Sequence, residues 1–424
     1  MKNLIEMRLE KLIGMLYNSI HSTSFKETYR MKDKDFTRFR KLDFSDIILM
    51  ILEGEKTGIT RDIMTYLRES QSPVDSYSAA AFCKARQKIK WEGFEKLFHD
   101  SSTVMYDFPY KKLDGYRLLA IDGSDFNLPN TPEIREEFGS EAFRNGEQPQ
   151  ALVSCLYDVL NLVAIDAKVE RFNANERKIA EKHLDYLDSV RTSKDVIIMD
   201  RGYPSAELIS LLERKKYYYL IRVNKNQFFR EIRQANLPDQ IVTRKENDGT
   251  ELTFRVINVK LNDEKEETLI TNLFSKSLTE SFFAKLYHYR WGIETRYDVL
   301  KNMLMVEDFS GVLPLCIYQD IFATLYLANT MAIAESDYEE VLDEYNKDEN
   351  HKYQYTWNSA MVIYALKNSF IELVLTSSSQ KRDRLYARIK KEMIASFSPI
   401  RDDRSFPRKK KHHSSNFRPN RKRI

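Results

Sequence analysis

The sequence predicts a mixed α/β protein in which a core of alternating strands and helices and a β-rich segment lie between two helical regions. Three observations predict this class. Apolar residues recur at helical spacing through residues 1–105. Short apolar runs alternate with amphipathic segments from residue 116 to 223, which is typical of a sheet with buried strands. Strand-like segments without helices follow at about 226–275, and helix-spaced segments return after them.

Composition excludes several classes of protein. The chain has 424 residues and 42% hydrophobic residues, so we expect a folded protein of two to four domains with a sizeable core. No apolar run reaches the roughly 18 residues that cross a bilayer, and the first residues lack the features of a signal peptide. The cysteines are few, odd in number and far apart, which indicates reduced thiols in a cytoplasmic protein: Cys83, Cys155 and Cys316.

Positive charge is concentrated at the end of the chain. The formal net charge is +4, but residues 408–424 contain eight Lys or Arg and no acid. Such a tail favours a polyanionic partner, although a disordered end that only aids solubility explains the charges equally well. We therefore expect residues 399–424 to form a disordered basic tail.

The N-terminal region, residues 1–110, is predicted to be helical and to bind DNA. Helix-spaced segments at 44–54 and 59–69 precede a turn-rich break, and a further helix begins near Ser78, a candidate helix cap. Two short helices around such a break resemble a helix-turn-helix. An ordinary helical bundle with a solvated basic face is an equally good interpretation. The cations of the second helix are Lys84, Arg86, Lys88 and Lys90.

Two aspartates end apolar strands of the predicted core. Asp122 closes a run from Tyr116, and Asp200 closes a run from Asp195. Functional groups gather at the carboxyl ends of strands in open α/β sheets, although either residue alone is as easily explained as the start of a turn. If a third carboxylate joined them, each pair of charges about 4 Å apart would repel by roughly 4 kcal/mol. Such a triad requires cations, and all-oxygen ligands favour Mg²⁺ or Mn²⁺.

A third carboxylate is found in a segment predicted to form one long helix, Thr279–Leu304. At about 100° per residue, four of its polar side chains fall within an arc of about 60°: Tyr287, Arg290, Glu294 and Lys301. That edge could offer Glu294 to a metal ion and its two cations to phosphates. The alternative is a surface helix on which Glu294 and Arg290 merely form an ion pair.

These four residues fit the spacing Tyr-x2-Arg-x3-Glu-x6-Lys without a gap, and this spacing resembles the signature of the IS4-type insertion-sequence transposases. The segments around the two aspartates, 121–124 and 199–203, are also similar to that family, as is 307–311. The β-rich segment at 226–275 occupies the position of a family insertion. The resemblance spans roughly 115–311. In the N-terminal helical region, the stretch 81–86 also resembles that family.

The resemblance implies an RNase H-like catalytic core at 111–311, interrupted by a β-rich insertion at about 226–275 and followed by a helical C-terminal region at 312–398. It implies that Asp122, Asp200 and Glu294 hold two Mg²⁺ ions, for which Mn²⁺ is expected to substitute. The residues that would contact DNA are Tyr287, Arg290, Lys301, Trp291 and Arg201. For Trp291 core packing is the alternative, and for Arg201 simple solvation.

The implied activity is cleavage at transposon ends and strand transfer into target DNA. The implied partners are double-stranded DNA, namely the terminal inverted repeats and the target, and a second copy of the chain in a homodimer. No membrane partner is expected, and the expected location is the cytoplasm, on the nucleoid of a prokaryote. Two alternatives stay open: a catalytically silent descendant that only binds DNA, and another RNase H-like nuclease such as a resolvase.

Overall fold

The computed structural model describes residues 7–401 except for 39, 55, 75, 144–145, 192–193, 246–248, 250 and 263–264. The helices are α1 Arg8–His21, α2 Thr23–Tyr29, α3 Phe44–Glu53, α4 Ile59–Glu69, α5 Ala79–Arg86, α6 Glu92–Tyr106, α7 Pro132–Phe138, α8 Glu176–Ser189, α9 Ala206–Arg214, α10 Arg230–Arg233, α11 Glu280–His288, α12 Trp291–Asp298, α13 Pro314–Asp337, α14 Glu339–Asn346, α15 Ser359–Lys367, α16 Phe370–Leu375 and α17 Ser379–Met393, with a π-helix at Val299–Met303. The strands are β1 Tyr116–Asn127, β2 Ser140–Phe143, β3 Gly146–Asp158, β4 Val163–Arg171, β5 Lys194–Met199, β6 Tyr218–Val223, β7 Asp239–Lys245, β8 Glu251–Asn262, β9 Lys265–Thr271, β10 Tyr355–Trp357 and β11 Phe397–Pro399.

The described residues divide into two compact units. Those of the first lie within 1–108, 126–151 and 298–424, and those of the second lie within 109–125 and 152–297. The helices before and after the central strands therefore belong to one unit. The sequence-based boundaries at 110, 311 and 398 divide the chain differently and stay predictions.

The second unit is built on a mixed sheet, which confirms the predicted α/β class. Its strands lie in the order β3-β1-β5-β6-β9-β8-β7, and β4 pairs with β3. The pairs β1–β5 and β5–β6 are parallel, whereas the pairs along β6-β9-β8-β7 are antiparallel. Residues 117–121 of β1 and 195–199 of β5 are buried, and each buried Leu, Ile or Val contributes about 1.5–3 kcal/mol. This rigid centre carries the two aspartates.

The predicted β-rich segment is an antiparallel meander of β7, β8 and β9. It does not fold apart from the other strands, because β9 pairs with β6 and so extends the same sheet. Gly249 in the β7–β8 connection has φ +85°, a conformation that favours glycine, while Asp248 lies outside the described residues. That this meander is a family insertion stays a prediction.

The first unit is helical around α13. Nineteen residues of this helix, Cys316 to Glu335 apart from Tyr318, are buried, so it is covered on nearly all sides. Trp91 at the start of α6 stacks on Tyr318 and Phe322 at centroid distances of 4.8 and 5.5 Å. No helix within the described ranges is long and apolar enough to span a bilayer.

The N-terminal helices agree with the sequence in part. The Ser78 side chain accepts a hydrogen bond from the Ala81 amide and caps α5, as predicted. Arg86, however, was expected on an exposed basic face and is 1% exposed. Its guanidinium is enclosed by partners on α13, so the exposed cation of α5 is Lys84. The prediction that all four cations form the basic surface of a recognition helix is therefore wrong for Arg86.

The predicted single helix from Thr279 to Leu304 is wrong, because the segment is broken twice. α11 ends at His288, and α12 begins at Trp291. Between them the amides of Arg290 and Gly292 bond three residues back rather than four, in a tighter turn. Beyond Asp298 the amide of Leu304 bonds five residues back, to Val299, so the final turn is a π-helix. A single α-helical wheel therefore does not describe where Lys301 points.

At the C-terminus, Pro399 belongs to β11, which pairs antiparallel with β10. Residue 399, where we expected the tail to begin, is thus part of a small two-stranded sheet. The cationic residues 408–424 lie outside the described residues.

Candidate active site

Asp122 and Asp200 come from neighbouring parallel strands, at the carboxyl end of their pairing. β1 and β5 are parallel neighbours, and the last pair in their register is Ala120 with Ile198. Each aspartate follows two positions later: Asp122 within β1, and Asp200 directly after the end of β5. Because neighbouring strands lie roughly 4.8 Å apart and equal positions point to the same face, the two carboxylates project from adjacent stems in the same direction. The register therefore places the two aspartates at the same level of the sheet.

Arg290 connects Asp122 to Glu294. Its Nη2 lies 2.7 Å from Glu294 Oε1, and its Nη1 lies 3.6 Å from Asp122 Oδ2. The guanidinium occupies the turn between α11 and α12, while Glu294 lies in the first turn of α12. The Arg290 side chain is only 5% exposed, so it interacts with its carboxylates in a partly desolvated environment.

Asp200 has its own partners. The Tyr287 hydroxyl donates to Asp200 Oδ1 at 3.2 Å, and Arg222 Nη1 lies 3.8 Å from the same oxygen. β6 pairs in parallel with β5 so that Ile221 faces Met199, which puts Arg222 level with Asp200. Burial raises the pKa of the Tyr287 phenol, and the negative charge of Asp200 opposes its ionisation further. Tyr287 is therefore a neutral hydrogen-bond donor at neutral pH.

The electrostatic balance of the site is negative. Burial raises the pKa of Asp122 to about 6, against the lowering effect of Arg290 and of the Gly123 amide. The charges of Glu294 and Glu176 raise it further. One guanidinium thus does not compensate the acids around Asp122, and an additional cation would stabilise them.

Within the ranges that the structure describes, no three His, Cys, Asp or Glu side chains form a ready-made metal site. The donors near Arg290 are nonetheless all carboxylate oxygens, which suit hard divalent ions better than zinc or copper. Asp122 keeps 21% and Glu294 32% of its side-chain surface exposed, so an ion could reach both. The chemistry of the donors and the uncompensated charge of Asp122 therefore fit Mg²⁺ or Mn²⁺.

The remaining predicted DNA-contacting residues differ in position. Trp291 is 45% exposed and lies 5.5 Å from the His288 ring, so it is not a core residue. Arg201 is exposed, and its backbone amide donates to Asp200 Oδ1 at 2.7 Å. Lys301 belongs to the other compact unit, where its ammonium lies 4.9 Å from the centre of the Phe126 ring.

Three residues near the acids were missed by the sequence analysis: Glu176, Tyr203 and Arg222. Arg222 is the single cation in an apolar strand, a signal that could have drawn attention to it. Tyr203 follows Asp200 closely, is 2% exposed, and donates to Glu176 Oε1 at 3.4 Å. Glu176 opens α8, and an acid in a first helical turn is too common to indicate a site.

A buried Ser-His-Asp arrangement lies beneath Asp122. His183 Nε2 is 3.0 Å from Ser154 Oγ, and its Nδ1 is 2.8 Å from Asp166 Oδ2. All three residues are 0% exposed, so no substrate reaches the hydroxyl. Ser154 Oγ lies 3.3 Å from the backbone oxygen of Asp122. This arrangement supports the strand that carries Asp122 and is not a hydrolase site.

Comparison with known families shows what this segment resembles. The family model described as the transposase DDE domain matches residues 113–311. These residues are therefore similar to a transposase DDE domain. The matched range contains the three acids together with Tyr287, Arg290 and Lys301.

The curated relatives confirm the resemblance to the IS4-type transposases. The transposase InsG for insertion sequence element IS4 of Escherichia coli K12 is 23% identical over 239 residues, which cover 53% of this chain and 53% of InsG. The putative transposase InsZ of the same strain is 25% identical over 184 residues, covering 42% of this chain and 60% of InsZ. The chain thus spans little more than half the length of these relatives.

Among solved structures, the cryo-EM structure of the piggyBac transposase synaptic complex with hairpin DNA matches with a TM-score of 0.45 and 13% identity, over 92% of this chain and 87% of that one.

Proposed function

We propose that this chain is a DNA transposase that cuts transposon ends and transfers the freed strand into target DNA. In this proposal the DDE domain has an RNase H-like core with a β-rich insertion, and its catalytic acids are Asp122, Asp200 and Glu294. The observation that carries the proposal is the convergence of carboxylates from separate segments. Arg290 reaches both Asp122 and Glu294, and Asp200 directly follows the strand that pairs in parallel with the strand of Asp122.

The three acids would hold two Mg²⁺ ions, with Mn²⁺ as a substitute. Such ions, when bound, polarise the phosphodiester, lower the pKa of an attacking water and stabilise the leaving 3′-oxygen. The cations of this chain have a different task. Arg290, with Lys301, would grip phosphates of the transposon end, and Tyr287 would donate to Asp200 or to a phosphate. Trp291 offers an exposed ring on which a base could stack.

The proposed partners are the terminal inverted repeats, the target DNA and a second copy of the chain. Two ends must be brought together for excision and insertion, which a homodimer accomplishes by symmetry. The exposed Lys84 of α5 and the cationic residues 408–423 are further candidates for phosphate contacts, and Arg201 adds a third.

The decisive experiment removes one negative charge at a time. Asp122→Asn, Asp200→Asn and Glu294→Gln are each expected to lower Mg²⁺-dependent nicking about a thousandfold or more, which corresponds to about 4 kcal/mol of activation free energy. The substrate is a plasmid with the DNA that flanks the gene. Asp298→Asn, an exposed acid four residues after Glu294, is the matched control and should nick at the wild-type rate.

Each outcome separates the proposal from its alternatives. Near wild-type nicking by any of the three variants removes that residue from the catalytic set. Binding of the ends by the wild-type chain without nicking in Mg²⁺ or Mn²⁺ identifies a catalytically silent descendant. Nicking without strand transfer into a target plasmid identifies a nuclease that is not a transposase.

A further inference from the structure

Asp200 is held through one of its two carboxylate oxygens. Its Oδ1 accepts hydrogen bonds from the Arg201 amide at 2.7 Å and from the Tyr287 hydroxyl at 3.2 Å, and Arg222 Nη1 lies 3.8 Å from the same atom. In the part of the chain that the structure describes, Oδ2 has neither a hydrogen bond nor an ion pair. The side chain is 34% exposed. The carboxylate is thus oriented through Oδ1, while Oδ2 is left for a partner from outside the chain.

Arg222 is itself fixed by an acid of the β7-β8-β9 meander. Its Nε and Nη2 donate to the two oxygens of Glu267 at 2.9 and 2.6 Å, which is the bidentate geometry of an arginine–carboxylate pair. Such a pair sets the plane of the guanidinium, and the remaining nitrogen, Nη1, is the one beside Asp200. Glu267 therefore determines where Nη1 lies.

The strand register explains why these side chains meet. β6 pairs with β9 so that Arg222 faces Leu269, and Glu267 lies two residues before Leu269, on the same face of β9. Long side chains reach such diagonal neighbours across antiparallel strands. On its other side β6 pairs in parallel with β5, which puts Arg222 level with Asp200. The order β5-β6-β9 thus connects the meander to Asp200 through one arginine.

We propose that Arg222 is a positioning residue for Asp200, and that Glu267 aims its guanidinium at the Asp200 carboxylate. This role rests on the proposed function, because Arg222 acts through one of the three proposed catalytic acids. The meander then takes part in the active site, since β9 supplies the acid that orients Arg222. A lysine would not serve, because an ammonium is a point charge that cannot bond Glu267 through two nitrogens while a third faces Asp200.

Two other roles of Arg222 would give different results. If the ion pair with Glu267 only ties β6 to β9, its loss lowers stability, and apolar side chains that pack in its place restore function. If Arg222 contacts a DNA phosphate, its loss weakens binding of the transposon end. A positioning residue instead sets the maximal rate of nicking and leaves stability and end binding unchanged.

The main variant combines Arg222→Met with Glu267→Leu and so replaces the ion pair by apolar side chains. Such replacements are often neutral for stability, so the midpoint of urea denaturation should stay near the wild-type value. Nicking at saturating DNA should fall about 10- to 100-fold, the usual loss when the partner that orients a functional carboxylate is removed. Binding of the ends, measured by fluorescence anisotropy in EDTA, should change by less than about twofold.

A milder variant and a matched control complete the set. Glu267→Gln keeps Arg222 but removes the charge that holds it, so the nicking rate should lie between those of the wild type and the double variant. The control combines Arg244→Met with Glu231→Leu, a partly exposed pair at 3.4 Å whose strand, β7, is separated from β5 by β6, β9 and β8. It should nick at the wild-type rate, and a loss equal to that of the main variant would overturn the positioning role.

The outcomes separate this role from the proposed function. If the wild-type chain nicks its ends and the main variant nicks equally fast, the positioning role is overturned and the proposed function stands. If the main variant keeps its maximal rate but binds the ends more weakly, Arg222 is a DNA contact instead. If the main variant unfolds, Glu267→Gln decides, because a folded chain with the wild-type rate overturns the role. If the wild-type chain never nicks, the proposed function fails and the role of Arg222 fails with it.

Discussion

Two buried arginines, Arg86 in the first unit and Arg290 in the second, show how a structural charge centre differs from a candidate catalytic one. Arg86 is 1% exposed, pairs with the carboxylate of Asp320 at 2.8 Å, and donates to Gln319 and to the Cys316 backbone oxygen at 2.6 and 3.0 Å. One acid and several neutral acceptors thus satisfy the guanidinium. Arg290 is shared between two acids that keep contact with solvent, and its Nε has no hydrogen-bond partner among the described residues.

The two centres also carry opposite excess charge. Beside Arg86 lies a second cation, Lys56, and burial lowers its pKa to about 8. Around Arg290 the acids outnumber the cation, and the pKa of Asp122 rises to about 6. A closed centre with excess positive charge can relax by losing a proton, whereas an open centre with excess negative charge can bind a metal ion. The difference indicates that incomplete compensation at an accessible place marks function better than burial of charge does.

The largest effect that would separate the two centres is on stability. Arg86→Met leaves the Asp320 carboxylate, 4% exposed, without the guanidinium that neutralises its charge, and should lower the free energy of unfolding by about 3–5 kcal/mol. Chemical denaturation followed by circular dichroism measures it. Lys84→Met, an exposed change on the same helix, should stay within about 0.5 kcal/mol of wild type. A loss below 1 kcal/mol for Arg86→Met would contradict the idea of a closed structural centre.

The matching substitution in the second unit should affect activity instead. Arg290→Met removes a cation from two carboxylates that are 21% and 32% exposed, so water and ions can partly solvate them, and the loss of stability should be smaller than that of Arg86→Met. Nicking of transposon-end DNA should fall about 100-fold, as expected when one donor to a developing phosphate charge is lost.

The control for this comparison is Lys285→Met, an exposed cation on α11. It should change neither stability nor nicking. If Arg290→Met unfolded the protein as readily as Arg86→Met, both arginines would be structural and the contrast between the centres would disappear.

Local sequence was sufficient to predict part of the site. Asp122 and Asp200 each end an apolar run, and parallel pairing then brings such residues to one edge. Tyr287, Arg290 and Glu294 lie within eight residues of each other, so even a broken helix keeps them close. The position of Lys301 was not predictable in this way, because Lys301 lies in the π-helix Val299–Met303. The spacing of apolar residues in the sequence does not indicate that an α-helix changes to a π-helix there.

Contacts between distant segments account for what the sequence could not predict. The burial of Arg86 depends on α13, more than 200 residues later, and the pattern of α5 alone is that of a basic surface helix. Arg222 faces Asp200 because β5 and β6 align in register, and neither strand shows which partner it will take. The motif 307–311 proved partly structural, since Ser310 donates to Asp320 at 2.8–2.9 Å in the Arg86 centre.

The smallest predicted effect is the dependence of stability on pH through Lys56. Its ammonium donates to the backbone oxygen of Met305 at 2.9 Å, yet burial lowers its pKa to about 8, below the value near 10.4 of an unfolded chain. Below pH 8 the lysine is protonated in both states and adds no pH dependence. Between pH 8 and about pH 10.4 the unfolded chain keeps the Lys56 proton that the folded chain has released, so the free energy of unfolding rises with pH.

Lys56 should raise the free energy of unfolding by about 2 kcal/mol between pH 7 and 9.5. The rise accumulates above pH 8, at about 1.4 kcal/mol for each pH unit. Urea denaturation of wild type and Lys56→Met at several pH values isolates it, since both chains share every other titrating group. The difference in unfolding free energy between the two chains should grow in favour of the wild type as pH increases. Parallel pH profiles would mean that Lys56 keeps its proton when folded, and that the Arg86 centre tolerates two full positive charges.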